Sequence, residues 1–254
     1  MSAKIHIGSC GWSYLNEKQF LGLLTKKHSS KLHAYAQLFN VVEINSTFYA
    51  LPKLTTVEKW RRESFEFNPN FKFTVKAYKY ITHLNRFGKD SDKIFNTIKE
   101  ICKILETKIV LFQSPASFQP SLNNIKRMKA FFTRIEKDDL ICAWEPRGQW
   151  NEKPELITEL CSNLNLIHCV DPLRNEPRCF GNQSIAYFRL HGFGKPSMYN
   201  YQFSDLELTN LIKIIKELST HLSDIFVFFN NSNCYEDSLR LEQLLSNNKK
   251  TDDV

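Results

Sequence analysis

Short apolar runs alternate with longer amphipathic stretches along nearly the whole chain. Runs rich in Ile, Val, Phe or Leu fall at 4–9, 41–46, 71–77, 108–113, 140–145, 166–171, 184–191 and 225–231. Continuous apolar character over so few residues suits strands buried on both faces, as in a parallel sheet. Between them, 54–64, 90–106, 121–135, 153–163, 204–220 and 233–246 repeat apolar residues at helical spacing. In 90–106 these are Ile94, Phe95, Ile98, Ile101, Cys102 and Leu105, a stripe for one buried face. The pairs Thr55/Glu58 and Ser204/Glu207 read as capping boxes, a hydroxyl and a carboxylate three residues apart at a helix start. Two segments fit poorly. The stretch 16–38 is long and interrupted, and 172–183 contains Pro172 and Pro177 and is too short for a full helix.

Strand–helix alternation repeated eight times implies parallel pairing through right-handed crossovers. Closing such a sheet on itself gives a single α/β domain, a (β/α)₈ or TIM barrel, expected over 1–246, with a polar tail at 247–254 expected to fray. An open doubly wound sheet would place a Gly-rich phosphate loop after its first strand, and Gly8-Ser-Cys-Gly11 is too short for one.

The barrel reading gives the polar residues a place, because catalytic groups in this architecture sit where strands end and βα loops begin. Glu43 and Asn45, Lys76, Gln113, Glu145 and Arg147, Asp171, Arg189 and His191, and Asn230 all fall there. Side chains alternate across a strand. Glu43 and Asn45 therefore share a face opposite Val42 and Ile44, Arg189 and His191 share one opposite Phe188 and Leu190, and Lys76 opposes Phe73 and Val75. If the apolar set meets the outer helices, the polar set converges on the barrel mouth. Glu43, Glu145, His191 and Lys76 are the candidate catalytic groups: two carboxylates for acid and base work, an imidazole, and an amine that desolvation would activate. Arg147 and Arg189 offer donor forks for carboxylate or phosphate. Asn45, Gln113, Asp171 and Asn230 complete the candidate binding set, with Trp12 and Tyr49 among the aromatic residues flanking the loops.

Composition narrows the partners. A formal charge of +7 favours anions, but the lysines are scattered and form no long basic block. The 7 cysteines are odd in number, irregularly spaced and lack a Cys-x-x-Cys, which argues against a disulfide framework or a structural zinc site. Met1-Ser-Ala-Lys leads straight into the first strand, and no apolar run reaches the roughly 18 residues of a membrane span. A cytoplasmic protein without a membrane partner is expected. No organic cofactor motif occurs. Glu43, Glu145, Asp171 and His191 would be the ligands of a divalent metal, Mg²⁺ or Mn²⁺ rather than Zn²⁺, but no ligand-spaced His pair supports one.

Several segments carry a resemblance. Gly8-Ser-Cys-Gly-Trp-Ser-Tyr14, Val42-Glu-Ile-Asn-Ser-Thr-Phe-Tyr49, Phe73-Thr-Val-Lys-Ala77 with Ile81-Thr-His83, Tyr187-Phe-Arg-Leu-His-Gly192 and Phe228-Phe-Asn-Asn231 are similar to the YecE-like family, also called domain of unknown function 72. The likeness runs from about residue 5 to about residue 245. It implies a TIM barrel and no firmly established activity. Two departures stand out. Gln113-Ser-Pro-Ala-Ser-Phe118 replaces the usual Gln-Leu-Pro-Pro-Ser-Phe, and Glu145-Pro-Arg-Gly-Gln-Trp150 carries Gly148 where a histidine is usual.

Three functions stay open on the sequence. One is an enzyme acting on a small anionic, perhaps phosphorylated, substrate, with hydrolase, lyase and isomerase chemistry not distinguished. A second is a protein that processes or binds nucleic acid, by likeness to endonuclease-IV-like barrels, a fold-level analogy. The third is a non-catalytic ligand-binding barrel, to which Gly148 lends weight. Oligomeric state is not readable from the chain.

Overall fold

The computed structural model describes residues 2–252. Eight parallel strands, β1 (Lys4–Ser9), β2 (Val41–Ile44), β3 (Lys72–Lys76), β4 (Ile109–Gln113), β5 (Ile141–Glu145), β6 (Leu166–Val170), β7 (Ile185–Leu190) and β8 (Asp224–Phe229), pair in chain order. β8 returns to β1 over the full strand length, so the sheet is a closed barrel. Each strand falls on one of the eight apolar runs. The helices outside it are α1 (Lys31–Leu38), α2 (Leu54–Phe67), α3 (Ser91–Leu105), α4 (Leu122–Arg134), α5 (Pro154–Leu164), α6 (Asp205–Leu218) and α7 (Cys234–Asp252).

Strand alternation sorts the apolar residues. Ile109, Leu111, Ala143, Ile167, Cys169, Phe226 and Phe228 fill the barrel interior. Val42, Ile44, Phe73, Val75, Val110 and Phe112 face outward into a core shared with α1 to α5. Phe188, Leu190, Val227 and Phe229 do the same against α6 and α7. Two separate shells of burial, one inside the sheet and one around it, are what a period of two in a closed sheet produces.

The two awkward segments resolve differently. Between β1 and β2 the chain makes a single 3₁₀ turn at Glu17–Phe20 before the short α1. Between β6 and β7 no helix forms, and the chain instead lays Phe180 antiparallel against Ile167, with His168 N–H donating to the Cys179 carbonyl at 2.8 Å. Pro172 and Pro177, which lack an amide donor, are poor material for a helix there. The Ser204/Glu207 capping box forms, Glu207 N–H donating to Ser204 Oγ at 3.3 Å and Ser204 N–H to Glu207 Oε2 at 2.8 Å. The Thr55/Glu58 box does not, because α2 starts at Leu54 with Lys53 in the cap position, leaving Thr55 inside the first turn. α7 continues past position 246 to Asp252, and positions 253–254 of the expected tail lie outside the described residues. All seven cysteines are free. Among the described residues no helix is long and apolar enough to cross a membrane.

The seam between β1 and β2 is held by a side chain. These strands pair only at Gly8–Val41 and Ser9–Val42. The Tyr35 hydroxyl of α1 donates to the Val41 carbonyl at 2.9 Å and accepts from Ser9 N–H at 2.9 Å. A Cβ on Gly8 would overlap the Val41 carbonyl and press on the Tyr35 hydroxyl. Gly8→Ala is therefore expected to force the seam open and to lower the unfolding free energy by about 1–3 kcal/mol, the usual range for overpacking, as read by urea denaturation.

Candidate functional site

Arg189, near the end of β7, is 1% exposed and lies at the centre of the barrel mouth. Its guanidinium meets groups from three other strands or strand ends. Nε and Nη2 donate to Glu43 Oε2 and Oε1 of β2, each at 2.9 Å, a two-pronged pairing. Nη1 donates to Glu145 Oε2 of β5 at 2.6 Å, and Nη2 reaches Cys10 Sγ, just past β1, at 3.5 Å. Below this pair, Tyr187 OH donates to Glu43 Oε2 at 2.8 Å and lies 2.8 Å from Thr74 Oγ1 of β3. Both Glu43 oxygens are thus taken. Burial alone would raise the Glu145 carboxyl, but Arg189 and Arg147 overrule it and hold it well below the usual carboxylate range.

His191 follows two residues later on the same face. Its Nε2 lies 2.7 Å from Arg147 Nη2 and 3.4 Å from Arg189 Nη1. Both neighbours can only donate, so Nε2 must accept and the ring proton must sit on Nδ1. Burial, reinforced by both guanidinium groups against the opposing pull of Glu145, pushes its pKa down to about 3. His191 is neutral wherever the protein is folded near neutral pH. Arg147 also pairs with Glu145 Oε1 through Nη2, while its Nε–H has no acceptor.

Two groups titrate nearer neutrality. Lys76, at the end of β3 and 5% exposed, has its pKa lowered to about 8 by burial and by Arg189. Its ammonium lies 4.2 Å from the centre of the Phe48 ring, and among the described residues it has no ion pair. Asp171, just past β6, is raised to about 6 by burial, although it accepts from Leu173 N–H at 3.1 Å and His191 N–H at 3.3 Å and lies 3.5 Å from Arg174 Nε. With Asp171 ionised, the cations Lys76, Arg147, Arg174 and Arg189 outnumber the carboxylates Glu43, Glu145 and Asp171 by one.

Two hollows open at the mouth on either side of Arg189. A narrow one of about 280 Å³ over β5, β6 and β7 is lined by Glu145, Arg147, His168, Asp171, Arg174 and His191. A wide one of about 650 Å³ over β8, β1 and the end of β2 takes in Cys10, Asn45 and Asn230. The β7–α6 loop divides them, Met198 lining the narrow hollow and Ser197, Tyr199 and Asn200 the wide one. Tyr199 packs edge-on against His191 at 5.6 Å between ring centres.

The structure thus brings together Glu43, Glu145, Arg147, Asp171, Arg189 and His191, with Lys76 electrostatically coupled to them, and sets Asn45 and Asn230 in the wide hollow. Gln113 is in register with Glu145 but lines neither hollow. Trp12 packs on Trp60 at 5.3 Å, and Tyr49 stands 63% exposed on the rim; neither lines a hollow. The sequence reading did not single out Tyr187, Thr74, Arg174 or His168. Tyr187 was within reach, since it shares the inward face of Arg189 two residues on. His168 was not: it lies on the outward face of β6, its Nδ1 accepting from Arg178 N–H at 3.1 Å. That bond puts its proton on Nε2, which is buried without a partner. Gly148 adopts φ 68°, and a Cβ there would stand 2.9 Å from the Ala116 side chain.

The family model described as "Protein of unknown function DUF72" matches residues 6–253. The UPF0759 protein YunF of Bacillus subtilis (strain 168) is 26% identical, covering 90% of this chain and 89% of YunF. A DUF72 family protein of Thermotoga maritima MSB8 superposes with a TM-score of 0.76 at 24% identity, covering 96% of this chain and 99% of that one. At the level of fold alone, a xylose isomerase-like TIM barrel protein of Mycobacterium smegmatis, solved in complex with magnesium, aligns with a TM-score of 0.54 at 9% identity over 97% of each chain. The carboxylates at the present mouth do not fit such an ion. Glu43 and Glu145 both close on one guanidinium, and a cation between them would have to displace it.

Replacing Arg189 by Met leaves Glu43 and Glu145 buried without their shared counter-charge. The expected loss is about 3–5 kcal/mol of unfolding free energy at pH 7, measured by urea denaturation. The deficit should shrink as pH is lowered towards 4, since protonation removes the stranded negative charge.

Proposed function

The chain belongs to the DUF72 family, and from the arrangement at its barrel mouth we propose that it is an enzyme acting on a small anionic substrate by proton transfer in the narrow hollow. The observation that carries this reading is a set of buried donors with no acceptor. Arg147 and His168 line the same hollow, and Arg147 Nε–H and His168 Nε2–H are buried in its wall with no partner among the described residues. Buried donors are costly when unmade bonds are left behind. A carboxylate or phosphate supplies the acceptors, and Arg147 and Arg174 at the hollow, with Lys76 in electrostatic reach of His191, attract it.

The titration behaviour redistributes the roles expected from sequence. Glu43 and Glu145 hold Arg189 in place, and a carboxylate held as low as Glu145 neither gives a proton nor takes one readily near pH 7. His191 fixes Arg147 as a neutral acceptor. The proton carrier that fits is Asp171, which borders the hollow and titrates at about 6. Lys99, Lys108 and Lys129 pair with Asp138, Asp139 and Glu159, so these three add no free positive charge for a polyanion.

The test is binding and turnover together. Inorganic phosphate should bind the wild-type chain by calorimetry, more weakly as salt rises, and bind much less in Arg147→Leu. Unchanged binding in that variant overturns the reading. In a screen of small phosphorylated and carboxylated compounds followed by NMR, Asp171→Asn should lower turnover about 10²–10⁴-fold with phosphate binding kept.

Two pH consequences follow. Asp171 is ionised above about 6 and Lys76 is charged below about 8, so activity should peak between these values and fall on either side. Lys76 also bears on stability. Its folded pKa lies below its unfolded value, so at pH 7 its charge opposes folding, and stability recovers as pH rises through about 8. Lys76→Met is accordingly expected to raise the unfolding free energy at pH 7, by on the order of 1–3 kcal/mol, while weakening phosphate binding.

A further inference from the structure

The wide hollow has a chemistry of its own. Where the narrow one gathers charges, this one is lined chiefly by neutral amides and hydroxyls, Asn45, Asn200, Asn230, Asn231 and Asn233 among them, with Glu236 its single charged side chain. Tyr14 and Tyr199 stand at its edge, 92% and 44% exposed. Its volume of about 650 Å³ lies within the usual range for small-molecule sites.

Two residues that line it carry buried acceptors with no donor. Asn231 is 7% exposed, and its Nδ2 donates to the Tyr201 carbonyl at 2.8 Å and to Asp237 Oδ2 at 2.7 Å. Both partners are acceptors, so the amide cannot be turned over, and Oδ1 is left without a donor. Asn45 Oδ1 is likewise buried and unpartnered. A ligand that completes this hollow must therefore bring donors. Hydroxyl groups donate and accept at once, as carboxamides do, and tyrosine rings at a rim suit the apolar faces of a sugar ring. An anion would meet the same acceptors with repulsion.

Arg189 lines neither hollow but ties one residue of each together. Its Nη2 touches Cys10, which borders the wide hollow, and its Nη1 touches Glu145, which borders the narrow one. We infer that the wide hollow holds the neutral, hydroxyl-rich body of the substrate, so that the substrate is an anion-bearing sugar or polyol reaching from one hollow to the other past the β7–α6 loop. This rests on the reading that the narrow hollow takes an anion, and adds what the anion is attached to.

Calorimetry on the full chain separates the two claims. The probes are inorganic phosphate, the neutral compounds D-ribose, D-glucose and myo-inositol, and the phosphates of the two sugars. At least one sugar phosphate should bind tenfold or more tighter than inorganic phosphate. Asn45→Leu and Asn230→Leu, each checked for unchanged circular dichroism, should each erase most of that advantage while altering phosphate affinity less than twofold. Equal binding of phosphate and every sugar phosphate overturns the inference and leaves the anion reading intact. So does an advantage that survives both asparagine variants. Asparagine-dependent binding of a neutral polyol without any phosphate binding would keep the wide hollow as a polyol site but overturn the anion reading, and with it the anion-bearing substrate.

Discussion

A guanidinium sealed from water must find all its compensation inside the protein. Arg189 does so by taking carboxylates from opposite parts of the barrel, Glu43 of β2 and Glu145 of β5, while itself standing on β7. Such an arrangement is not a cheap source of stability, since desolvating three charges costs about what their attraction returns. What it does supply is position. The carboxylates cannot turn away without stranding the arginine, and the arginine cannot leave without stranding Glu43 and taking from Glu145 one of its two guanidinium partners. Tyr187 and Thr74 extend the constraint downward to β3, and His191 and Arg147 extend it upward to the rim. The mouth is therefore organised around a fixed positive centre, with a hollow on each side of it.

Much of this was legible in the chain before any coordinates. The eight strands follow from apolar runs, and the inward set follows from parity: Glu43, Lys76 and Arg189 point in because Val42, Val75 and Phe188 point out. The unhelical crossover before β7 was signalled by Pro172 and Pro177. Roles were harder. Glu145 and Asp171 are both buried acids at strand ends, yet one is held far below its ordinary range and the other lifted above it. The difference lies in partners: two guanidinium groups close on Glu145, while Asp171 receives mainly backbone N–H bonds and a longer contact from Arg174. Those partners come from distant strands, so no local pattern announces them. The partition of the mouth was equally hidden, because it depends on how the β7–α6 loop, Ser197 to Asn200, lies over the strand ends.

Gly148 stands where the family resemblance leads one to expect a histidine, and its surroundings favour glycine. The residue is in a left-handed conformation that glycine adopts freely. Ala116, the other departure from the usual pattern, lies directly against the place a Cβ would take. The two changes meet in space across the ends of β4 and β5. This part of the mouth has a local backbone arrangement that suits glycine, and the group nearby that titrates closest to neutrality is Asp171.

The crossover between β6 and β7 has a consequence for how such a protein diversifies. Elsewhere a helix covers the outside of the strands, and adding one residue to a helix rotates every later side chain by about 100°. An irregular covering imposes no such penalty, because loop length can change in single steps at small entropic cost. Here that covering begins with Asp171 and Arg174, two of the groups that border the narrow hollow. Insertions and deletions can therefore recast one wall of the pocket while the closed sheet and its central arginine stay as they are. Changes of length are best tolerated in this sector, because they need not refold the rest.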